Sequence, residues 1–169
     1  MRLDELTTSS AVRSVNESVT LVPMQHAELT TWLTESRESY VAELIRTGVD
    51  SDVAHGRALE QQQKAFPGSD PADGHLVAHV VVGAERVGWV WFAREEQSTS
   101  WWVWDIAIDV AHQGRGLGRA TMRLVEQEVL ARGGTEIGLS AFGSNDRALS
   151  LYRSLGYEEI SIRMRKRIS

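Results

Sequence analysis

Apolar positions change their period several times along the chain, and each change marks an element. Alternation over 19–24 predicts a short strand, whereas Leu29, Trp32, Leu33, Val41, Leu44 and Ile45 recur near helical spacing from His26 to about Thr47. That stretch predicts one or two amphipathic helices ending near Gly48, and a further helix is expected from about Ser51 to Phe66. Pro67-Gly68-Ser69-Asp70-Pro71 then interrupts regular structure. Beyond it, residues 76–82 and 86–93 are rich in β-formers and separated by Gly83-Ala84-Glu85, the spacing of a hairpin. A longer strand is expected over 101–110.

The period lengthens again after that strand. Leu117, Ala120, Leu124, Val125 and Val129 fall on or near one face of a helix expected over 116–132, stopped by Arg132-Gly133-Gly134. A strand over 136–142 and a helix over 145–155 follow, with Asn145 well placed as its N-cap. The segment 157–168, with Arg163, Arg165 and Arg167 at alternate positions, predicts a final strand. The strand–helix–strand unit over 101–142 implies a right-handed crossover between parallel strands, hence an α/β fold with a mixed sheet. Residues 1–18 show no apolar period and read as a flexible N-terminal arm before a single domain over 19–169.

Composition narrows the class of function. A chain of 169 residues can bury about two thirds of its unfolded surface in one core, and its 42% hydrophobic and 24% charged residues are ordinary globular values. No run approaches the roughly 20 apolar residues of a membrane helix. The N-terminal segment resembles neither a secretory signal nor a transit peptide, so the expected location is cytoplasmic and no membrane partner is expected. With no cysteine, a covalent Cys-acyl route and thiolate metal sites are excluded; five scattered histidines show no metal spacing. A net charge of −5 argues against a nucleic-acid partner and mildly favours a cationic one.

The candidate chemistry lies where the strand ending Asp105-Ile106-Ala107-Ile108-Asp109 runs into Gln113-Gly114-Arg115-Gly116-Leu117-Gly118-Arg119-Ala120 and then a helix. Glycines let backbone approach a ligand, and free amides at a helix N-terminus form an anion site that suits a pyrophosphate. A dinucleotide fingerprint starting at Gly114 or Gly116 would need a small residue at 119 or 121, where Arg119 and Thr121 stand. A Walker loop would need Gly-Lys-Ser/Thr where the chain has Gly118-Arg119-Ala120.

What remains, Gln-x-x-Gly-x-Gly after an alternating strand, resembles the acetyl-CoA signature of the GNAT superfamily of N-acetyltransferases. Downstream, Leu139-Ser140-Ala141-Phe142 followed by Asn145, Ala148, Leu149, Tyr152, Leu155 and Gly156 resembles the family's second motif. Together the motifs cover about 101–157. The resemblance implies a mostly antiparallel central sheet around a parallel strand–helix–strand core, with helices on both faces. It implies that the pantetheine arm of acetyl-CoA pairs with the backbone of Ile106, Ala107 and Ile108, and that the amides of Gly114, Arg115, Gly116, Leu117, Gly118 and Arg119, preceded by Gln113, hold the pyrophosphate. Asn145 would approach the cofactor, and Tyr152 would sit by the sulfur as general acid.

Each of these residues also has a plain structural role open to it. Tyr152 shares its helix face with Ala148, Leu149 and Leu155 and could be a half-buried core aromatic. Asp105 could serve as base, hold a water, or make a salt bridge. At Ser140 several family members carry a glutamate base, which this chain lacks. Of Trp89, Trp91, Trp101, Trp102 and Trp104, most are expected in the sheet core, with one or two available to wall a cationic acceptor. The expected function is transfer of an acetyl group from acetyl-CoA directly to an amine of a small molecule or peptide. The alternatives are an acyl-CoA-binding regulatory module without turnover and a plain nucleotide-binding domain. A homodimer is compatible with the family.

Overall fold

A computed structural model describes residues 18–166 and 168. Its order is β1 (Val19–Pro23), α1 (His26–Arg46), α2 (Ser51–Ala65), β2 (His75–Val82), β3 (Glu85–Arg94), β4 (Ser100–Ile108), α3 (Leu117–Ala131), β5 (Glu136–Leu139) and α4 (Asp146–Leu155). Single 3-10 turns lie at Pro67–Ser69 and Val110–His112. Residues 1–17 of the expected arm, and Arg167 and Ser169, lie outside the described residues.

Element ends follow local chemistry. The 26–47 stretch is one helix, begun where the Glu28 carboxylate accepts the Gln25 amide at 2.9 Å and closed just before Gly48, whose φ is +84°. The Asp50 carboxylate caps α2 by accepting the amides of Asp52 and Val53. At α4 the Asn145 side chain accepts from the Ala148 amide at 3.1 Å, so the N-cap role expected of it is present.

The five strands run in spatial order β1-β2-β3-β4-β5, antiparallel except for β4 with β5. Even strand residues such as Val90 and Phe92, with Val103, pack on Met122, Val125 and Val129 of α3. Trp91, on the opposite face, packs with Trp32, Leu33 and Phe66 beneath α1 and α2. The sheet is thus covered on both faces, and truncating a fully buried side chain such as Met122 would cost about 2–5 kcal/mol.

Two expectations about strands are corrected. β5 ends at Leu139 rather than 142, so it flanks only Ser100–Val103 of β4. The final strand expected over 157–168 does not form within the described residues. No strand pairs with that segment among those residues; Ile160, Ile162 and Met164 stay exposed, and Arg165 donates instead to the Thr47 and Gly48 carbonyls at the end of α1. A cation there complements the helix dipole, a role that alternation alone did not reveal.

Candidate active site

β4 and β5 diverge because their pairing stops at Val103 and Leu139. Beyond that point β4 continues to Ile108, bonded to β3 on one side only. Backbone groups of 104–108 therefore have no strand partner on the β5 side among the described residues. In a buried sheet such an edge needs a partner. Two cavities meet along it, sharing Ile106, Asn145, Ala148 and Tyr152 in their walls.

The first is a cavity of about 510 Å³ between the end of β4, the start of α3 and α4. Gly114 and Gly116 carry φ of +82° and +79°, left-handed values that β-carbons resist, and Gly116 is the N-cap of α3. A β-carbon at Gly116 would meet nothing within 4 Å, so the conformation and not crowding selects glycine. Amides of the first turn, Leu117, Gly118 and Arg119, have no carbonyl four residues back to bond, and that turn holds no acidic side chain. An anion is thus favoured at this end, which fits a pyrophosphate, while the one-sided β4 edge fits an extended amide-bearing arm. Gln113 braces the loop: its Nε2 donates to the Ile108 carbonyl at 2.8 Å and its Oε1 accepts from Arg147 at 2.6 Å. Arg119 ties α3 to α4 by donating to Ser154 Oγ at 2.6 Å. Of the residues expected here, Ala107 and Arg115 are not in the cavity wall.

The second cavity, about 570 Å³, lies on the α1 and α2 face of the sheet. Asp105 is in its wall, with Oδ2 accepting from Ser36 Oγ at 2.7 Å and from Trp89 Nε1 at 2.9 Å. Burial pushes the Asp105 carboxyl above its ordinary value, and these two donors with the Ile106 amide pull it part of the way back. Tyr152, between the cavities, is pushed upward first by burial and then by the Asp105 charge, so its phenol stays protonated at neutral pH. Its ring meets Tyr157 edge-on at 5.8 Å, and the Tyr157 hydroxyl donates to Glu126.

The sequence model of the acetyltransferase (GNAT) family matches residues 27–157. The chain belongs to that family.

Solved structures of other acetyltransferases superpose on the chain. The crystal structure of YycN from Bacillus subtilis, 21% identical, superposes with a TM-score of 0.82 over 90% of this chain and 99% of that one. The N-alpha-acetyltransferase RimI of Mycobacterium tuberculosis is 38% identical over 123 residues, 64% of this chain and 75% of that one. AAC(6′)-Iy, solved with the bisubstrate analogue CoA-S-monomethyl-acetylneamine, superposes with a TM-score of 0.54 at 16% identity, over 89% of this chain and 99% of that one. This GNAT chain is an N-acetyltransferase, and acetyl-CoA is its donor. No helix among the described residues is long and apolar enough to cross a membrane.

Sequence reasoning missed what α1 contributes to this GNAT site. Trp32 and Ser36 stand four residues apart, on the same face of α1, and both line the second cavity. The available signal was Ser36 itself, a small polar residue interrupting an apolar helix face. Among the strand tryptophans, Trp91, Trp102 and Trp104 line the cavity, more than the one or two expected.

Proposed function

We propose that the chain transfers the acetyl group directly to a primary amine of a small molecule, with Asp105 as general base and Tyr152 as general acid. The absence of cysteine removes a Cys-acyl intermediate and supports the direct route. In this reading the amides of the Gly114–Arg119 loop hold the pyrophosphate of acetyl-CoA, Ile106–Ile108 align its pantetheine arm, and Asn145 borders both cavities. Acetyl-CoA supplies a thioester whose carbonyl carbon accepts the amine nitrogen.

The observation that carries the base assignment is the Asp105 carboxylate, anchored by Ser36 and Trp89 in the cavity that adjoins Tyr152. An alkyl ammonium with a pKa of about 10.4 arrives protonated at neutral pH and must lose that proton before it can attack. An ionised carboxylate has about four lone-pair directions. Ser36 and Trp89 both donate to Oδ2, which leaves Oδ1 for the acceptor. Asp105 takes the ammonium proton, the N–C bond forms as the C–S bond breaks, Tyr152 gives its proton to the departing sulfur, and the acylated nitrogen sheds its second proton to solvent. Solvent then returns a proton to Tyr152 and removes one from Asp105.

The test is thiol release from acetyl-CoA with an amine panel, for the parent and the Asp105→Asn variant. The side-chain amide keeps an oxygen for Ser36 and Trp89 but cannot take a proton, so kcat should fall about 10²–10⁴-fold with acetyl-CoA affinity kept. Parental turnover in that variant would remove Asp105 from the reaction.

A further inference from the structure

The register of β3 against β4 slips by one residue inside the site. Trp91 stands opposite Asp105 but Phe92 opposite Val103, which leaves Trp104 as the extra residue of a β-bulge. In an unbroken strand Trp104 and Asp105 would point to opposite faces. Here both line the same cavity. The bulge therefore sets a large flat ring beside the carboxylate that the proposed mechanism uses.

That ring is held from behind. Trp104 stacks on Trp91 with centroids 5.4 Å apart and planes 20° from parallel, and Trp102 meets it edge-on at 6.5 Å. Trp102 in turn lies over Gly138, where a β-carbon would come within 2.6 Å of its ring. Despite this support Trp104 remains 43% exposed, unlike Trp91 at 5%. A tryptophan pinned on one face and open on the other is a platform for another flat ring.

Charge limits the acceptor as well. Among the described residues lining the cavity the acids are Asp105 and Glu43, and Glu43 is paired with Arg46 at 2.5 Å. Arg37 stands in the same wall. One carboxylate is left for one ammonium, an arrangement that suits a monoamine and disfavours a polycation.

We propose that this is an arylalkylamine site: the acceptor is a small monoamine bearing one aromatic ring, which stacks on Trp104 while its nitrogen meets Asp105. The proposal rests on the assignment of Asp105 as base, and it makes Trp104 a specificity-determining residue. An offset-stacked aromatic pair adds about three- to tenfold in affinity over contact area alone.

The experiment compares 2-phenylethylamine, n-hexylamine, spermidine and a short peptide with a free N-terminal alanine, using the parent, Trp104→Ala and Trp104→Phe, with circular dichroism as the folding control. For the parent, kcat/KM should favour 2-phenylethylamine over n-hexylamine by about three- to tenfold, and both over spermidine and the peptide. Trp104→Ala should erase the aromatic preference through KM with kcat largely kept, and Trp104→Phe should restore most of it. Equal use of the two monoamines, an aromatic preference untouched by Trp104→Ala, or a preference for spermidine or the peptide would each overturn the proposal. If no amine turns over, calorimetric binding of 2-phenylethylamine in the presence of CoA decides, and its absence overturns the site. Failure of the base assignment reads differently: Asp105→Asn would then keep turnover while the aromatic preference persists.

Discussion

On one side of Tyr152 the cleft is lined by main chain: the half-bonded edge of β4, the left-handed glycines 114 and 116, and the first amides of α3. On the other side it is lined by side chains that converge from distant parts of the chain, Ser36 from α1, Trp91 from β3, Asp105 and Trp104 from β4, with Trp89 holding Asp105 from outside the wall. In the proposed reading the donor half recognises a component common to every turnover, so it can be built from backbone geometry that tolerates wide sequence change. The acceptor half must choose among amines, and choice requires particular side chains at particular distances. The two halves should accordingly fail in different ways when altered.

Tyr152 stands where they meet and gives the sharpest test of whether the halves work together. Tyr152→Phe keeps the ring and its contact with Tyr157 but removes the proton donor. kcat should fall about 10²–10⁴-fold while acetyl-CoA affinity stays within a few-fold. A purely structural tyrosine would keep its packing as Phe, with stability within about 1 kcal/mol of the parent and turnover intact. Paired measurements of kcat, KM and melting temperature separate the two.

The main-chain character of the donor half can be probed by charge alone. Because Gly116 has φ of +79° and open space where a β-carbon would stand, Asn and Asp are the replacements that best tolerate its conformation. Gly116→Asn should bind acetyl-CoA nearly as the parent does. Gly116→Asp sets a negative charge near the expected pyrophosphate, and two like charges about 8 Å apart in an effective dielectric near 20 repel by about 2 kcal/mol. Its affinity should be about tenfold or more below that of the Asn variant, the gap narrowing as salt is added. Equal affinities at low salt would locate the anion elsewhere.

The same contrast explains what could be read from the sequence. The glycine loop and α3 were legible because left-handed backbone at Gly114 and Gly116, and the close approach of Leu151 at Gly118, restrict residue choice within a few positions. The hairpin and α2 were legible for similar local reasons. The anchoring of Asp105 was not, since Ser36 lies 69 positions away and Trp89 lies 16 away. The bulge at Trp104 was invisible as well: alternation counts residues, and only the partner strand reveals that one is extra. The last segment failed for the opposite reason. Its alternating residues carry a strand pattern, but a strand also needs an edge to pair with, and Arg165 is engaged at the end of α1 instead.

The finest distinction concerns whether Ser36 merely packs against Asp105 or helps set when it can accept a proton. Burial holds the folded-state carboxyl above the ordinary 3.8, and the Ser36 hydroxyl opposes that rise by bonding the ionised form. A raised carboxyl contributes stability below its unfolded value and loses it as pH rises through the folded value, so above both the ionised group is a net cost that Ser36 reduces. Ser36→Ala removes one hydrogen bond to a charged group, worth about 1.5–3 kcal/mol where water cannot replace it. The variant should therefore be less stable than the parent at neutral pH, and the difference should shrink as the pH falls below the ordinary carboxylate range and Asp105 is protonated in both. The same loss drives the folded carboxyl still higher. The acid limb of kcat/KM should move to higher pH, with the plateau kept within about threefold. A stability difference with that pH dependence but an unmoved acid limb would mean that Ser36 anchors a structural carboxylate and that another group takes the amine's proton.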